Sequence, residues 1–327
     1  MSDQPATQAN SIVCIGVCTI KRPAMLSACL SSLAAQKNLE TVVHIIVVDN
    51  DDIPSSEKIA EESARTSRFP IHYRHEPQRG ISMARNRVLE EALRLRADWL
   101  AFIDDDETAD PDWLENLLRV ADRDSADVVQ PLVRMHFAEP APFWYFGREE
   151  KTRNKDGPLQ VRLLKSASTG GTLMSARLFR RDGMNLRFDE QLAFGGQEDE
   201  EFYGAAYLLG ARIVRSSLPA VTETLHPSRY TYSRYALRGL AQGGSFAARY
   251  RQKNGFVRAV RRYTGVSFAR AARGLLQLLI APVFIPFALR RFKFTALEGG
   301  RNLMFAAGAI GGVFRLQYAF YRRIDGR

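Results

Sequence analysis

A repeated unit constrains this chain more than any single residue does. Short, β-rich apolar runs end abruptly in polar or acidic residues, and segments of helical character lie between them. Ser11 to Thr19 (SIVCIGVCT) is the first run and leads into Thr19-Ile20-Lys21-Arg22. Val42 to Val48 is the second and ends in Asp49-Asn50-Asp51-Asp52; Ile71 to Arg74 is a short third. Trp99 to Ile103 (WLAFI) is the fourth and ends in Asp104-Asp105-Asp106. Short apolar runs of this kind suit strands buried on both faces. Between them, Pro23 suits the first turn of a helix whose Leu26, Cys29, Leu30 and Leu33 form an apolar stripe. Ser55 to Ser67 has helical composition. Gly80 to Arg94 reads as a loop entering a helix, with Ser82 as N-cap, and Asp110-Pro111 as an N-cap followed by proline at the next helix start. The order β-α-β-α-β-α-β-α predicts an α/β fold, a mainly parallel sheet flanked by helices on both faces.

In open sheets of this class, ligands bind beyond the carboxyl ends of the strands. Those ends are where Thr19, Arg22, Asp49 and the triple aspartate fall. No G-x-G-x-x-G follows the first run and no G-x-x-x-x-G-K-[ST] occurs, which argues against a dinucleotide dehydrogenase and a P-loop ATPase.

Charge divides the chain. Residues 1–228 hold 27 Lys+Arg against 34 Asp+Glu; residues 229–327 hold 19 against two, Glu298 and Asp325. The overall +10 is therefore an acidic body of −7 joined to a region of +17. Such a region suits an anionic partner. Its apolar content points to lipid: Leu275 to Leu289 (LLQLLIAPVFIPFAL) has Arg270 and Arg273 before it and Arg290, Arg291 and Lys293 after it, and Leu303 to Phe314 is apolar and glycine-rich. Each is shorter than the ~20 residues of a spanning helix. Both are expected to lie in the interface or to form a shallow hairpin; two buried helices of a C-terminal lobe are the other reading. No basic motif interleaved with aromatics and no zinc-finger spacing supports nucleic acid. The expected organisation is a flexible 1–10, a catalytic α/β domain at 11–232, and a basic, apolar, mostly helical membrane-associating region at 233–327. Met1 to Ser11 lacks a basic segment followed by an apolar core, so no secretory signal is expected. The three cysteines, Cys14, Cys18 and Cys29, read as core positions.

Several segments carry chemistry. Successive aspartates after a buried strand call for a counter-ion, and hard carboxylate oxygens suit Mg²⁺ or Mn²⁺ together with substrate phosphates. Alternation in an extended chain would put Asp104 and Asp106 on one side. Arg85-Asn86-Arg87 in GISMARNR suits phosphate at a helix start. Gly170 and Gly171 in STGGTLMS would let backbone approach a sugar closely. FGGQEDEEF leads a glycine pair into Glu198 and Asp199, where one carboxylate would serve as general base. Phe143-Trp144-Tyr145-Phe146 offers an aromatic platform for an acceptor sugar, with Trp144 at its centre, or a piece of core. His226 beside Pro227 reads as structural more readily than as a metal ligand.

Taken in order, these pieces resemble the family 2 glycosyltransferases of the GT-A fold, especially bacterial exopolysaccharide and lipopolysaccharide sugar transferases, including those that build succinoglycan. The resemblance covers about residues 11–240 and implies a GT-A sheet and an inverting enzyme that uses a nucleotide-diphosphate sugar, most readily a UDP-sugar, with Mg²⁺ or Mn²⁺. By position it implies that Thr19 and Arg22 line the nucleotide pocket, that Asp49 reads the base, and that Arg85 sits against the nucleotide. It places Asp104 near the ribose with Asp105 beside it on the donor, makes Asp106 the metal ligand, and makes Asp199 the base, with Glu198 the alternative because Gln197 interrupts the usual G-G-E-D. Gly170, Gly171 and Trp144 would face the acceptor. With the basic region, the resemblance implies a saccharide or polyprenyl-diphosphate-linked acceptor, an anionic membrane surface as partner, no nucleic acid, and a location at the cytoplasmic face of the bacterial inner membrane. Two other readings stay open: a sugar-phosphate nucleotidyltransferase, whose glycine-rich, arginine-containing loop is missing here, and a non-catalytic membrane-binding module.

Overall fold

The computed structural model describes residues 11–37, 39, 41–137, 139–140, 161–193 and 196–316. The aromatic run containing Trp144 and the 1–10 segment lie outside the described residues.

Among the described residues nine strands form one sheet: β1 (Ile12–Thr19), β2 (Val42–Asp49), β3 (Ile71–His75), β4 (Trp99–Asp104), β5 (Glu107–Ala109), β6 (Val128–Phe137), β7 (Arg162–Leu164), β8 (Leu173–Ser175) and β9 (Ile213–Leu225). The order is β3-β2-β1-β4-β8-β6-β9-β5, with β7 paired to β9. The first four apolar runs are the parallel half, β3-β2-β1-β4. Beyond it the sheet turns mixed: β8 runs antiparallel to both β4 and β6, β9 runs parallel to β6, and β5 and β7 pair antiparallel with β9. The parallel register aligns the strand ends, with Thr19 opposite Asp49, Cys18 opposite Asp104, and Asp49 opposite His75.

Helices cover both faces. On one, α1 (Pro23–Ala34) presents Leu26, Cys29, Leu30 and Leu33, and α4 (Trp113–Arg123) presents Trp113, Leu114 and Leu117, to Val13, Ile15 and Val17 of β1. On the other, α3 (Ile81–Arg94) packs Val88 and Leu89 with Cys14, Phe102, Phe188 and Phe202, the last from α5 (Glu198–Leu208). A side chain at Gly16 would overlap Val88, so the glycine lets α3 ride close on β1. The short α2 (Glu57–Thr66) buries only Ala60. Burial raises the Cys14 and Cys18 thiols to about 12 and Cys29 well above its usual range, as core placement requires.

Two expected caps move. Gly80, at φ +143°, holds the N-cap position of α3, and Ser82 lies inside the helix with its hydroxyl buried and unpaired. Helix α4 starts at Trp113, after Asp112, because Asp110 and Pro111 belong to the turn that leads in; the Asp110 carbonyl accepts the Trp113 amide at 3.0 Å.

Three long helices follow the sheet: α6 (Tyr232–Asn254), α7 (Phe256–Ile280) and α8 (Leu289–Val313). Gly255, at φ +84°, separates α6 from α7. Pro282 and Pro286 fall in the turn between α7 and α8, where proline's missing amide costs least. A glycine seam joins α6 to α8. A Cβ at Gly243, Gly308 or Gly312 would collide with the opposite helix's backbone at Phe305, Leu240 and Gly244 in turn. Gly274 of α7 meets Gly299 of α8 in the same way. The glycine-rich stretch expected to meet lipid, 303–314, is thus largely consumed in packing against α6, because only small residues let two helix backbones approach this closely.

Candidate active site

Strand β4 ends at Asp104, Asp105 and Asp106 form a two-residue turn, and the chain doubles into β5 at Glu107. The turn breaks the expected alternation, so it is Asp105 and Asp106 that share a partner. Arg22, just past β1, donates through Nη1 to Asp105 Oδ1 at 2.9 Å and lies 3.2 Å from Asp106 Oδ2. Thr19 donates to Asp105 Oδ2 at 2.9 Å. All three groups are largely shielded from water. Burial, opposed by Arg22 and Thr19, raises the Asp105 carboxyl to about 6.

Asp104 faces the other way, half-exposed, with its carboxylate 4.0 Å from the Arg85 guanidinium. Arg85 projects from the first turns of α3, is buried, and donates to Glu198 Oε1 at the start of α5. Its guanidinium also lies 5.6 Å from the Phe188 ring, which stacks on Phe202 of α5 at 4.3 Å. Burial pulls the Arg85 guanidinium down, but Glu198, Asp104 and Asp199 together hold it above its usual range. Glu198 is doubly engaged, since its Oε2 accepts the Gln197 amide at 2.8 Å. Asp199 has looser ties: Oδ1 accepts the Glu200 amide at 2.8 Å. Burial and the neighbouring Glu198 charge raise its carboxyl above the ordinary carboxylate range, against the pull of Arg85.

At the end of β2, Asp49 is fully buried. Its Oδ2 accepts from the Ser55 and Ser56 amides, both at 2.8 Å, and from the Tyr73 hydroxyl at 3.1 Å. Its Oδ1 accepts the Asp51 amide at 3.2 Å. In this conformation Asp49 shapes the loop after β2 and offers no surface to a base. Asn50 stitches that loop to the entry of α3: Nδ2 donates to the Glu76 and Gln78 carbonyls at 2.9 and 2.8 Å, and Oδ1 accepts the Gly80 amide at 2.8 Å. The β2 loop therefore helps to set where Arg85 points.

Gly170 and Gly171 sit beneath the aspartate turn, and both are buried. A Cβ on Gly170 would meet Glu107 Oε1 at 2.6 Å. Gly171, at φ +63°, adopts a left-handed backbone, and a Cβ there would press on Pro131 and Val221. Trp113 Nε1 donates to the Gly171 carbonyl at 3.1 Å. The glycines make room for protein, where a bare backbone for a sugar was expected. His226 caps a short turn by accepting the Ser228 amide at 3.3 Å.

Two residues that sequence reasoning passed over belong to the site. Glu107, the fourth acidic residue of the D-D-D-E run, lies buried below the turn and accepts the Asp104 amide at 3.0 Å through Oε2. Burial, with Asp104 and its cross-strand partner Glu223 nearby, pushes its carboxyl well above the usual range. The length of the acidic run was its signal. Gln197 is buried with both ends of its amide unpaired. Its only signal is that it interrupts G-G-E-D.

Among the described residues no three His, Cys, Asp or Glu side chains gather as a ready-made metal cage. What exists is a pair of shielded carboxylates, on Asp105 and Asp106, already arranged around one cation, the Arg22 guanidinium. That donor set fits a hard divalent ion that takes one or two carboxylates and completes its shell with phosphate oxygens.

Acidic and basic side chains thus converge beyond the parallel strand ends, where open α/β sheets bind their ligands. The chain belongs to glycosyl transferase family 2, whose model matches residues 14–185. It is 32% identical, over 93% of each chain, to the succinoglycan biosynthesis protein ExoM of Rhizobium meliloti. It is 36% identical to the putative glycosyltransferase EpsH of Bacillus subtilis over 32% of this chain and 28% of that one. In fold it is similar to S. aureus TarS 1–349 in complex with UDP-GlcNAc, with a TM-score of 0.52 and 16% identity over 96% of this chain and 95% of that one. The TarS complex with UDP gives a TM-score of 0.50 at 18% identity, with the same coverage. The GT-A architecture expected from the motifs is the one observed.

Proposed function

We propose that this chain transfers a sugar from a nucleotide-diphosphate sugar, in the first instance a UDP-sugar, to a hydroxyl of a growing saccharide, inverting the anomeric centre. The observation that carries the reading is Arg85. One buried guanidinium lies against Asp104 of the aspartate turn and against Glu198 of the acidic helix start, so the two halves of the candidate site form one electrostatic unit.

Thr19, Arg22, Asp104 and Asp105 form the donor side. Asp49 contributes by fixing the loop on which the base would rest; direct contact would require that loop to open. Asp106 would hold Mg²⁺ or Mn²⁺, which supplies charge neutralisation on the departing diphosphate. Arg22 and Arg85 add fixed positive charge on the same side. Asp199 is the base. Glu198 is committed to Arg85, whereas Asp199 is less tied and has a raised proton affinity suited to removing a hydroxyl proton. As the acceptor oxygen bonds to the anomeric carbon, its proton passes to the Asp199 carboxylate. The bond from that carbon to the diphosphate oxygen breaks, and the nucleoside diphosphate leaves with the electron pair. One displacement inverts the centre.

The succinoglycan relative supports a place in exopolysaccharide synthesis. We take the acceptor to be an oligosaccharide on a polyprenyl diphosphate, met at the cytoplasmic face of the bacterial inner membrane. A panel of nucleotide sugars, scored by thermal shift, donor hydrolysis and sugar transfer with Mg²⁺ or Mn²⁺, tests the reading. Release of nucleoside diphosphate from one UDP-sugar is expected. Release of inorganic diphosphate from a nucleoside triphosphate would instead make the chain a nucleotidyltransferase.

A further inference from the structure

Helix α7 is built inside out. The positions it buries are Ala259, Tyr263, Ser267 and Gly274, three of them small. The positions it exposes include Val257 at 78%, Phe268 at 76% and Leu279 at 76%. Spacings of 11 residues between each of these keep them on one helical face, opposite the buried one. The stripe continues round the following turn to Phe287, which is 87% exposed. A helix of a water-facing fold puts its large apolar side chains inward. Here glycine, alanine and serine make the helix contacts together with Tyr263, and phenylalanine and leucine face out. Helix α8 also turns Gly299, Gly308 and Gly312 inward, beside the larger Leu297, Phe305 and Val313. Small inside and large outside is the arrangement of helices whose surrounding solvent is lipid.

We infer that α7 lies lengthwise in the interface of an anionic bilayer, with the Val257–Phe268–Leu279 stripe and the Phe287 turn sunk into the acyl boundary. The inference rests on the reading that the enzyme works at a membrane, and it assigns the surface that holds it there. The stripe from Val257 to Leu279 is about 33 Å long at 1.5 Å per residue. Arg258, Arg261, Arg273 and Arg290 stand exposed around it, placed to meet lipid phosphates.

Two alternatives fit less well. The segment Phe256–Phe284 has the length of a spanning helix, and one 18-residue window of it reaches a mean hydropathy of 1.3. It also carries five arginines, Arg258, Arg261, Arg262, Arg270 and Arg273. The stretch after them, Gly274 to Phe284, covers only about 16 Å, roughly half the hydrocarbon core. A second copy seated on the same face would set these arginines against their own counterparts, since a two-fold interface repeats one patch on both subunits.

Vesicle flotation and depth-dependent quenching test this. The full chain is expected to float with phosphatidylcholine vesicles containing phosphatidylglycerol, and to float poorly with phosphatidylcholine alone or in high salt. Phe268→Asp and Leu279→Asp should each weaken binding about tenfold or more, with UDP binding unchanged. Phe268→Trp and Leu279→Trp leave the stripe apolar, so they report even where an aspartate variant misfolds. Brominated lipids should quench both to a similar degree. Quenching of Leu279→Trp alone, or wild-type flotation by Phe268→Asp, would overturn the flat placement. No flotation of the wild type, or a stable dimer in lipid-free buffer that stays off vesicles, would overturn the membrane surface itself. Vesicle binding without any sugar transfer would leave this inference standing and remove the glycosyltransferase reading.

Discussion

In the sheet domain the charged groups go inside. Arg85, Asp105, Glu107 and Glu198 are all buried, and each is held by a named partner. In the three C-terminal helices the arrangement reverses: arginines stand exposed on α7, and so do its phenylalanines and leucines. The sheet domain buries charge, which is costly unless every group is paired. The helices bury a small core around Tyr263, Phe305 and Val313 and bring their backbones together at Gly243, Gly308 and Gly312. One chain thus follows two rules of burial, as the proposed placement of the helices at a membrane requires.

The comparison breaks most visibly at the carboxylates. Asp106→Asn and Asp199→Asn should each lower sugar transfer by roughly 10²–10³-fold, while the far-ultraviolet circular dichroism stays that of the wild type. Unchanged turnover in either variant would remove that residue's role. In the helices the equivalent strike is at the seam. Gly243→Leu forces α6 from α8 and should cost about 1–3 kcal/mol or more, read as a lower melting temperature with lost vesicle binding. A variant as stable as wild type would mean that the seam is not closely packed.

A smaller effect separates Glu198 from Asp199. The Asp199 carboxyl is raised by burial and by the Glu198 charge. A base works deprotonated, so activity should be present at high pH and fall as pH drops through that raised value. Glu198→Gln removes the neighbouring negative charge, lowers the Asp199 proton affinity, and should move the acid limb of kcat to lower pH. A limb that stays put, or moves up, would assign the titration to another group. The smallest effect expected is a gain: a Cβ on Gly204 of α5 meets nothing within 4 Å. Gly204→Ala should therefore stabilise the domain by about 0.5–1 kcal/mol, measured by denaturant unfolding.

The parallel half of the fold was legible because its signals are local. Leu26, Cys29, Leu30 and Leu33 repeat at helical spacing and are the residues α1 buries, and the four apolar runs end within one residue of their strands' ends. The antiparallel half was not legible, because β5, β7 and β8 are three residues each and are defined by distant partners. Strand alternation misplaced Asp104 and Asp106, since a turn begins after Asp104 and no periodicity marks it. The glycines at 170 and 171 stood out correctly, but the reasons for them, the carboxylate of Glu107 beside Gly170 and the side chains of Pro131 and Val221 beside Gly171, lie forty residues or more away in the chain. The apolar stretches of the basic region were equally plain in sequence. Only the packing shows that one is turned outward and the other is largely taken up by α6.

The central proposal is that the aspartate turn binds the donor together with a divalent ion, beside the acidic helix start that carries the base. Isothermal titration of a UDP-sugar into the full chain, with Mn²⁺ and then with chelator, tests it most directly. The account expects binding with Mn²⁺ that falls sharply in chelator and in Asp106→Asn. Equal affinity in all three would contradict it.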